Sequence, residues 1–371
     1  MKIVHIIVGL NVGGAELMLQ RLVLNSSKKE HFEHSIISLT DLGVIGPNLQ
    51  KQGIKVDTLN MNSLSSLPFT LLKLRNLIKK INPDVVQTWM YHADLLGGLA
   101  AKSLGIKNII WGIRTTDIEE SASKQTVYLS KICARLSYIV PTKIACVAEK
   151  AKEYHVNIGY DERKFKVIPN GFNLSKFYFD PDVRFLMRKQ LQLDEKELVI
   201  GHIGRFDYAK NQVNFIKACI SLLSKGFKFK VLMAGRNVSL NNPKIAELFI
   251  NNEYINNFIF LGEITNTPSF YCAIDIFCLC SYTEGFPNVL GEAMACENVC
   301  LSTDAGDAKL IMEPFGIEIE SPQAADIARA IEENILLSTH INFKNIGKNN
   351  RKKIEKYYSL ISVIKQFESL Y

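Results

Sequence analysis

Two periods of hydrophobic patterning alternate along this chain. Short continuous apolar runs are each followed by a stretch in which apolar residues recur every three or four positions. Continuous runs of this length read as strands buried on both faces, and the 3.6-residue period reads as amphipathic helix. In the first half the runs fall at 3–8, 34–39, 55–59, 85–89, 109–113, 143–147 and 166–168. In the second half they fall at 198–203, 228–233, 258–261, 276–280, 299–302 and 316–319. Strands alternating with helices predict parallel sheets, hence an α/β protein. The helix at 71–81 shows the pattern well, with leucines and isoleucines on one face and Lys73, Arg75, Lys79 and Lys80 on the other.

Each half restarts with a strand and a glycine-bearing turn. Between them, residues 173–197 are charged, contain Pro181 and read as a linker with a short helix. The pattern therefore predicts two doubly wound domains, 1–172 and 198–350, with a cleft between them, and a last helix within 351–371. That helix, at 354–370, follows the basic run Lys348, Arg351, Lys352 and Lys353.

Composition narrows the class. The chain has 371 residues, 47% hydrophobic and 22% charged, enough for two sizeable cores. The eight cysteines lie in apolar segments without a CxxC pair or zinc spacing, which predicts reduced core thiols in a cytoplasmic protein. The apolar run at 3–10 is too short for a membrane span and leads into Gly13-Gly14, so it reads as a first strand. Charge is uneven: residues 1–172 carry 22 Lys and Arg against 14 Asp and Glu, a net +8, while residues 173–371 carry 22 against 23. A basic first half suits an anionic membrane or a phosphorylated ligand. Aromatic residues are not interleaved with the basic ones as in a nucleic-acid module, which disfavours that partner.

Candidate chemistry collects at predicted strand ends. Glu284-Gly285-Phe286-Pro287-Asn288-Val289-Leu290-Gly291-Glu292 runs from a loop into a helix. Such a junction offers a carboxylate, a row of backbone N–H groups and a second carboxylate further back. It suits a nucleotide-sugar: Glu284 with Gly285 and Phe286 for the sugar, the amides of Asn288, Val289 and Leu290 for the diphosphate, and Glu292 for the ribose. Arg205 ends the first strand of the second domain and Lys210 lies in the following loop; this pair of cations would stabilise a departing diphosphate. No DxD-type metal motif is conspicuous, so a metal-independent reaction is expected. Arg236 and Ile264 follow two consecutive strands and could hold the base. In the first domain, Gly13-Gly14 opens a helix whose N-terminus suits a phosphate. His92 and Arg114 follow two strands; base, hydroxyl partner and structural histidine are all open for His92, and acceptor or phosphate contact for Arg114. His5 and His202 lie inside strands and are expected in the cores.

Together these segments resemble glycosyltransferase family 4, retaining enzymes of the GT-B fold with two Rossmann-like domains. The resemblance rests on Gly13-Gly14-Ala15-Glu16, Tyr91-His92, Ile168-Pro169-Asn170-Gly171, Gly204-Arg205 with Lys210-Asn211, Glu284-Gly285-Phe286-Pro287 with Glu292-Ala293-Met294-Ala295, and the loop 303–307. It implies that Arg205 and Lys210 hold the diphosphate, Gly14 lies near the β-phosphate, Glu292 binds ribose, and Glu284 and His92 meet the donor sugar, Glu284 as a candidate catalytic carboxylate. It also implies an acceptor-binding first domain, a nucleotide-sugar-binding second domain and a last helix that crosses back to the first. The chain departs from the family's usual Gly-x-Pro at Glu297-Asn298-Val299. The expectation is a UDP-sugar donor, a glycan or lipid-linked glycan acceptor in surface polysaccharide biosynthesis, no cofactor, and a cytoplasmic enzyme that can sit on the inner membrane face. A sugar-nucleotide epimerase or hydrolase of the same fold, or a non-catalytic nucleotide-sugar-binding protein, are the alternatives.

Overall fold

The computed structural model describes residues 1–26, 31–61, 67–116, 123–336 and 342–371. The chain divides into two compact units: Met1–Gly171 with Leu360–Tyr371, and Phe172–Ser359.

The first unit holds a seven-stranded parallel sheet: β1 (Lys2–Ile7), β2 (Glu33–Ser38), β3 (Lys55–Thr58), β4 (Val85–Trp89), β5 (Asn108–Ile113), β6 (Lys143–Cys146) and β7 (Phe165–Val167). The spatial order is β3-β2-β1-β4-β5-β6-β7. β4 is buried along its whole length, and β1, β2 and β5 at all but their first residues, which is why these strands read as unbroken apolar runs. Helix Gly14–Ser26 covers the sheet with Met18, Leu19, Leu22 and Val23. The C-terminal helix Leu360–Glu368 adds Val363, Ile364 and Phe367 to the same core.

The second unit repeats the plan with six strands: β8 (Val199–Ile203), β9 (Lys230–Ala234), β10 (Phe258–Phe260), β11 (Ile276–Leu279), β12 (Val299–Thr303) and β13 (Ile317–Ile319). Their order is β10-β9-β8-β11-β12-β13. Ile200, Phe215, Leu222, Val231, Ile276, Leu301 and Ile331 centre its core.

In both sheets the order reverses once, between β1 and β4 and between β8 and β11. The register pairs Ile7 with Trp89 in the first and Ile276 with Ile200 in the second. Loops that leave the C-terminal ends of such neighbouring strands diverge to opposite faces and open a crevice for ligand. The fold thus nominates the loops after β1 and β4, and after β8 and β11.

Three features differ from the sequence pattern. Residues 173–197 are packed rather than a linker. Helix Pro181–Gln190 is capped by Asp180, whose carboxylate accepts from Asp182 N and Val183 N at 3.0 and 3.1 Å. Its Arg188 is fully buried and donates to the carbonyls of Ala273, Asp194, Glu195 and Glu197 and to the Asp275 carboxylate. A long basic side chain with every donor used internally reads in sequence like a solvated one. Second, the last helix is two helices, Phe343–Tyr357 and Leu360–Glu368. The break lies where Phe172 N donates to Tyr358 O at 2.9 Å and Phe172 bridges Ser359. Third, the first of these two helices belongs to the second unit and only the other to the first.

Candidate active site

In the second unit the loops after β8 and β11 are tied together at the strand-order reversal. Lys210 ends the short turn Tyr208–Lys210 and donates to both oxygens of Glu284, at 2.5 and 2.7 Å. The Lys210 side chain is 25% exposed and that of Glu284 8%. Ser281 Oγ donates to Glu284 Oε1 at 2.7 Å, and Thr303 Oγ1 donates to Ser281 O at 2.7 Å. The carboxylate is therefore oriented by a hydroxyl that is itself braced from β12.

Asn211 makes this geometry possible. It takes the left-handed conformation at φ +60, which asparagine tolerates better than most residues. Its Nδ2 donates to Cys280 O at 3.0 Å and Pro322 O at 2.6 Å. Tyr282 N donates to Ala209 O at 2.8 Å, and Gln212 Nε2 to Arg205 O at 2.8 Å. Two glycines let the backbones approach. A Cβ at Gly235, whose φ is +142, would lie 1.9 Å from Gly204 O, and one at Gly306, φ +57, would lie 2.6 Å from Glu284 O.

Arg205 stands apart from that pair. Its side chain is 62% exposed, and Nε donates to Asp207 Oδ2 at 3.2 Å. An exposed guanidinium held loosely by one carboxylate can swing onto an anion, whereas Lys210 must leave Glu284 to do so.

The helix Asn288–Ala295 begins as the sequence predicts, but its amides are less available than expected. Asn288 N donates to Phe286 O at 2.9 Å and Leu290 N to Pro287 O at 3.1 Å. Tight turning around Pro287 uses these donors locally, leaving Val289 N without a partner among the described residues. Glu292 accepts from Tyr271 Oη at 3.0 Å. Gly285 follows Glu284 in the loop, and Phe286 is buried, stacked on Phe172 with centroids 6.3 Å apart. Its ring is a prop beneath the loop; any contact of this residue with a sugar falls to its backbone.

The two base candidates differ in their surroundings. Ile264 lines one of about 520 Å³ together with Val183, Leu186, Met187, Thr265 and Asn266. Arg236 is exposed at the end of β9, where its carbonyl accepts from Phe206 N at 2.8 Å, and does not line that space.

In the first unit, Gly14 opens the helix after β1 and is exposed. The neighbouring Glu16 carboxyl is pushed up by partial burial. His92 lies in the first turn of helix Tyr91–Ser103 after β4, half-buried, and burial lowers its pKa, so the imidazole is neutral at pH 7. Met90, just before that helix, holds φ +73, an uncommon conformation for a side chain of this size. Beneath it Asp94 is fully buried; Thr88 Oγ1 donates to its Oδ1 at 2.5 Å and Gly112 N at 3.2 Å. Burial raises the Asp94 carboxyl to about 8. Arg114 turns inward: it donates to Ile168 O at 3.3 Å and to the Asn170 side chain, and its guanidinium lies 5.6 Å from the Trp89 ring centroid. Burial lowers its pKa to about 10. The guanidinium braces the ends of β5 and β7, a use that a strand-end arginine does not announce. His5 and His202 are buried in their sheets, and His202 Nδ1 donates to Cys278 O, 3.0 Å away. All eight cysteines are buried and unpaired by disulfide. Among the described residues no helix is long and apolar enough to cross a membrane.

Sequence reasoning missed Ser281, Tyr271 and Asp94. Ser281 lies three residues before Glu284 in the same loop, a spacing that could have nominated it. Tyr271 and Asp94 become partners only through the fold.

Residues 12–176 match the family model described as Glycosyltransferase Family 4, and residues 183–353 match the model described as Glycosyl transferases group 1. The two matches span most of the chain, and the chain belongs to this glycosyltransferase family. It is 28% identical over 324 residues to a Campylobacter jejuni N,N'-diacetylbacillosaminyl-diphospho-undecaprenol alpha-1,3-N-acetylgalactosaminyltransferase, covering 83% of each chain. It is 26% identical over 352 residues to the Staphylococcus aureus capsular polysaccharide biosynthesis glycosyltransferase CapH, covering 93% of each. The Anabaena HepE protein, solved in complex with UDP-glucose, matches in fold with a TM-score of 0.82 at 19% identity over 100% of this chain and 98% of that one. The fold is GT-B.

Proposed function

We propose that this glycosyltransferase moves a sugar from a nucleotide-sugar to a hydroxyl of a lipid-linked glycan, with retention at the anomeric carbon, in surface polysaccharide assembly. The observation that carries the reading is the Lys210–Glu284 pair at the β8/β11 reversal, with Arg205 at the end of the same strand. Two cations and a carboxylate at a strand-order reversal, where open α/β sheets generally bind ligands, support it. The lipid-linked acceptor is supported by the undecaprenol substrate named for the Campylobacter relative, and the polysaccharide role by the capsular relative.

In this reading Arg205 and Lys210 hold the diphosphate, helped by Val289 N and by the glycine-opened helix at Gly14. Glu284, released by Lys210, accepts from the sugar hydroxyls, and Glu292 from the ribose. Ile264 and Arg236 attend the base, and His92, as a neutral imidazole, the donor sugar. The bond from the anomeric carbon to the phosphate oxygen breaks with its electron pair going to the diphosphate. The acceptor oxygen bonds on the same face, and its proton passes to the departing phosphate oxygen. The cations supply the electrostatic stabilisation, so the reaction requires neither a metal nor a cofactor, and dialysis against EDTA leaves turnover unchanged.

The first unit is the acceptor side. Its helix Leu67–Ile81 has no acidic residue in its first turn, ends in Lys79 and Lys80, and leaves Phe69 and Leu72 each 61% exposed beside Lys73. Exposed apolar groups flanked by lysines suit an anionic bilayer surface. Flotation with phosphatidylglycerol vesicles at low salt tests this, and absence of binding removes the membrane from the reading.

A panel of UDP-, GDP- and ADP-sugars with undecaprenyl-diphosphate saccharides tests the whole. Transfer with unchanged anomeric configuration is expected. Donor cleavage or epimerisation without an acceptor would replace the reading with the hydrolase or epimerase alternative.

A further inference from the structure

A glutamate reaches its ligand through several rotatable bonds, so a carboxylate meant for a ribose must be held from behind. Behind Glu292 stands Tyr271, on the helix Thr267–Ala273, with no exposed surface. Its hydroxyl donates to Glu292 Oε2 at 3.0 Å. Burial and the neighbouring carboxylate push the phenol well above its usual range, so it keeps the proton that it donates. The ring is boxed in: Phe177, Phe270 and Phe277 meet it edge-on, with centroids 6.3, 5.6 and 5.9 Å away. Its backbone is tied as well. Asn298, itself buried, donates through Nδ2 to Tyr271 O at 2.9 Å and to Ile274 O at 3.2 Å, and Asn350 Nδ2 donates to Asn298 O at 2.9 Å. Asn298 lies in the turn that departs from Gly-x-Pro, where Glu297 holds φ +63, a conformation that glycine takes at no steric cost. Arg351, next to Asn350, donates to Ala295 O at 2.9 Å, at the end of the helix that carries Glu292. The phenol and the carboxylate are thus both anchored to the helix Phe343–Tyr357.

We infer that Tyr271 is a positioning residue for nucleotide recognition: its hydroxyl aims the Glu292 carboxylate and so sets how strongly the protein prefers a nucleotide with ribose hydroxyls to one without them. The inference rests on the ribose contact proposed above for Glu292. A carboxylate with one oxygen bonded to a buried phenol has its plane fixed, and with it the direction of its remaining lone pairs. Without that bond the side chain keeps its charge but samples more rotamers, and a ligand must then supply the ordering that the phenol now provides. Tyr271 is itself enclosed, so its effect on a ligand passes through Glu292.

Calorimetric titration of the full chain with UDP, GDP and ADP, each beside its 2′,3′-dideoxy form, gives the ratio of affinities with and without ribose hydroxyls. The proteins compared are wild type, Tyr271→Phe, Glu292→Gln and the double variant. Tyr271→Phe keeps the buried ring, and thermal melting follows its fold. The ratio should fall about 3–10-fold in Tyr271→Phe, the worth of one oriented hydrogen bond, and further in Glu292→Gln. Because Tyr271 acts through Glu292, the double variant should match Glu292→Gln. A merely structural tyrosine would weaken both members of a nucleotide pair alike and leave the ratio at its wild-type value. That result, beside a reduced ratio in Glu292→Gln, overturns the inference alone, as does a double variant well below Glu292→Gln. Wild type that binds none of these nucleotides or holds both members of each pair equally, or Glu292→Gln with a wild-type ratio, removes the ribose reading of Glu292 and the inference with it.

Discussion

Lys210 Nζ sits 2.5 and 2.7 Å from the two carboxylate oxygens of Glu284, so two groups that a donor would need are each other's partners. In the donor complex proposed above, a diphosphate and a sugar hydroxyl would divide them. The free energy of the pair is then part of the free energy of binding, and the pair keeps both groups ordered until ligand arrives. Removing one partner of such a low-exposure pair leaves the other charge uncompensated, a loss that can reach about 3–5 kcal/mol in fully buried cases; Lys210, a quarter exposed, recovers part of this from water.

Glu284→Gln follows directly. The amide keeps the volume and can still accept from Ser281, but it no longer neutralises Lys210. The expected result is a fall in kcat of roughly 100-fold or more, in the range of losing one oriented electrostatic contact, together with a lower melting temperature. Steady-state kinetics and thermal melts on the same preparation check both.

Arg205→Ala should separate activity from stability. The side chain is mostly exposed and pairs with the Asp207 carboxylate, and exposed pairs of this kind contribute about 0–1 kcal/mol. The melting temperature should therefore hardly move, while turnover falls roughly 10²–10³-fold if Arg205 stabilises the diphosphate as proposed. Near-wild-type turnover would remove Arg205 from the leaving-group role.

Much of the fold was legible because parallel strands buried on both faces leave unbroken apolar runs. All thirteen runs in the pattern became strands, with ends displaced by at most two residues. The loops proposed to face ligand were legible for a related reason: glycine, proline and charge cluster after the apolar runs, as at Gly204-Arg205 and Glu284-Gly285-Phe286-Pro287. Tertiary use of polar groups was not legible. Arg188 looks like a surface cation in sequence and Arg114 like an acceptor or phosphate contact, and both turn inward onto carbonyls. The amides of Asn288 and Leu290 look available and are consumed by the turn at Pro287. The partnership of Lys210 with Glu284 links positions 74 residues apart, which no local pattern reveals.

Backbone contact between β8 and β9 predicts a contrast between two glycines. Gly235→Ala would drive a Cβ to 1.9 Å from Gly204 O at φ +142, whereas Gly262→Ala at φ +65 meets nothing within 4 Å. The second substitution costs only left-handed strain, roughly 1–2 kcal/mol. The first must also displace the strand end that leads into Arg205. Chemical denaturation should rank Gly235→Ala well below Gly262→Ala, and only the former should weaken UDP binding.

The buried Asp94 makes stability depend on pH in a direction opposite to the usual salt-bridged carboxylate. Burial raises its folded pKa to about 8, well above the ordinary aspartate value of about 4. Between those two values the folded chain keeps a proton that the unfolded chain has released, so this group's contribution falls as pH rises from about 4 to about 8 and is flat outside that window. His5, His34 and His155 act the other way. Their folded pKa values are lowered by burial, so the unfolded chain binds more protons below about 6.5 and stability drops on acidification. Asp94→Asn isolates the first effect, since an amide can still accept from Thr88 and the backbone N–H of Gly112. Urea unfolding of wild type and variant at pH 5 and pH 8 should show the variant gaining stability relative to wild type as pH rises. A difference between the two proteins that stays constant across that range would mean Asp94 is ionised in the fold.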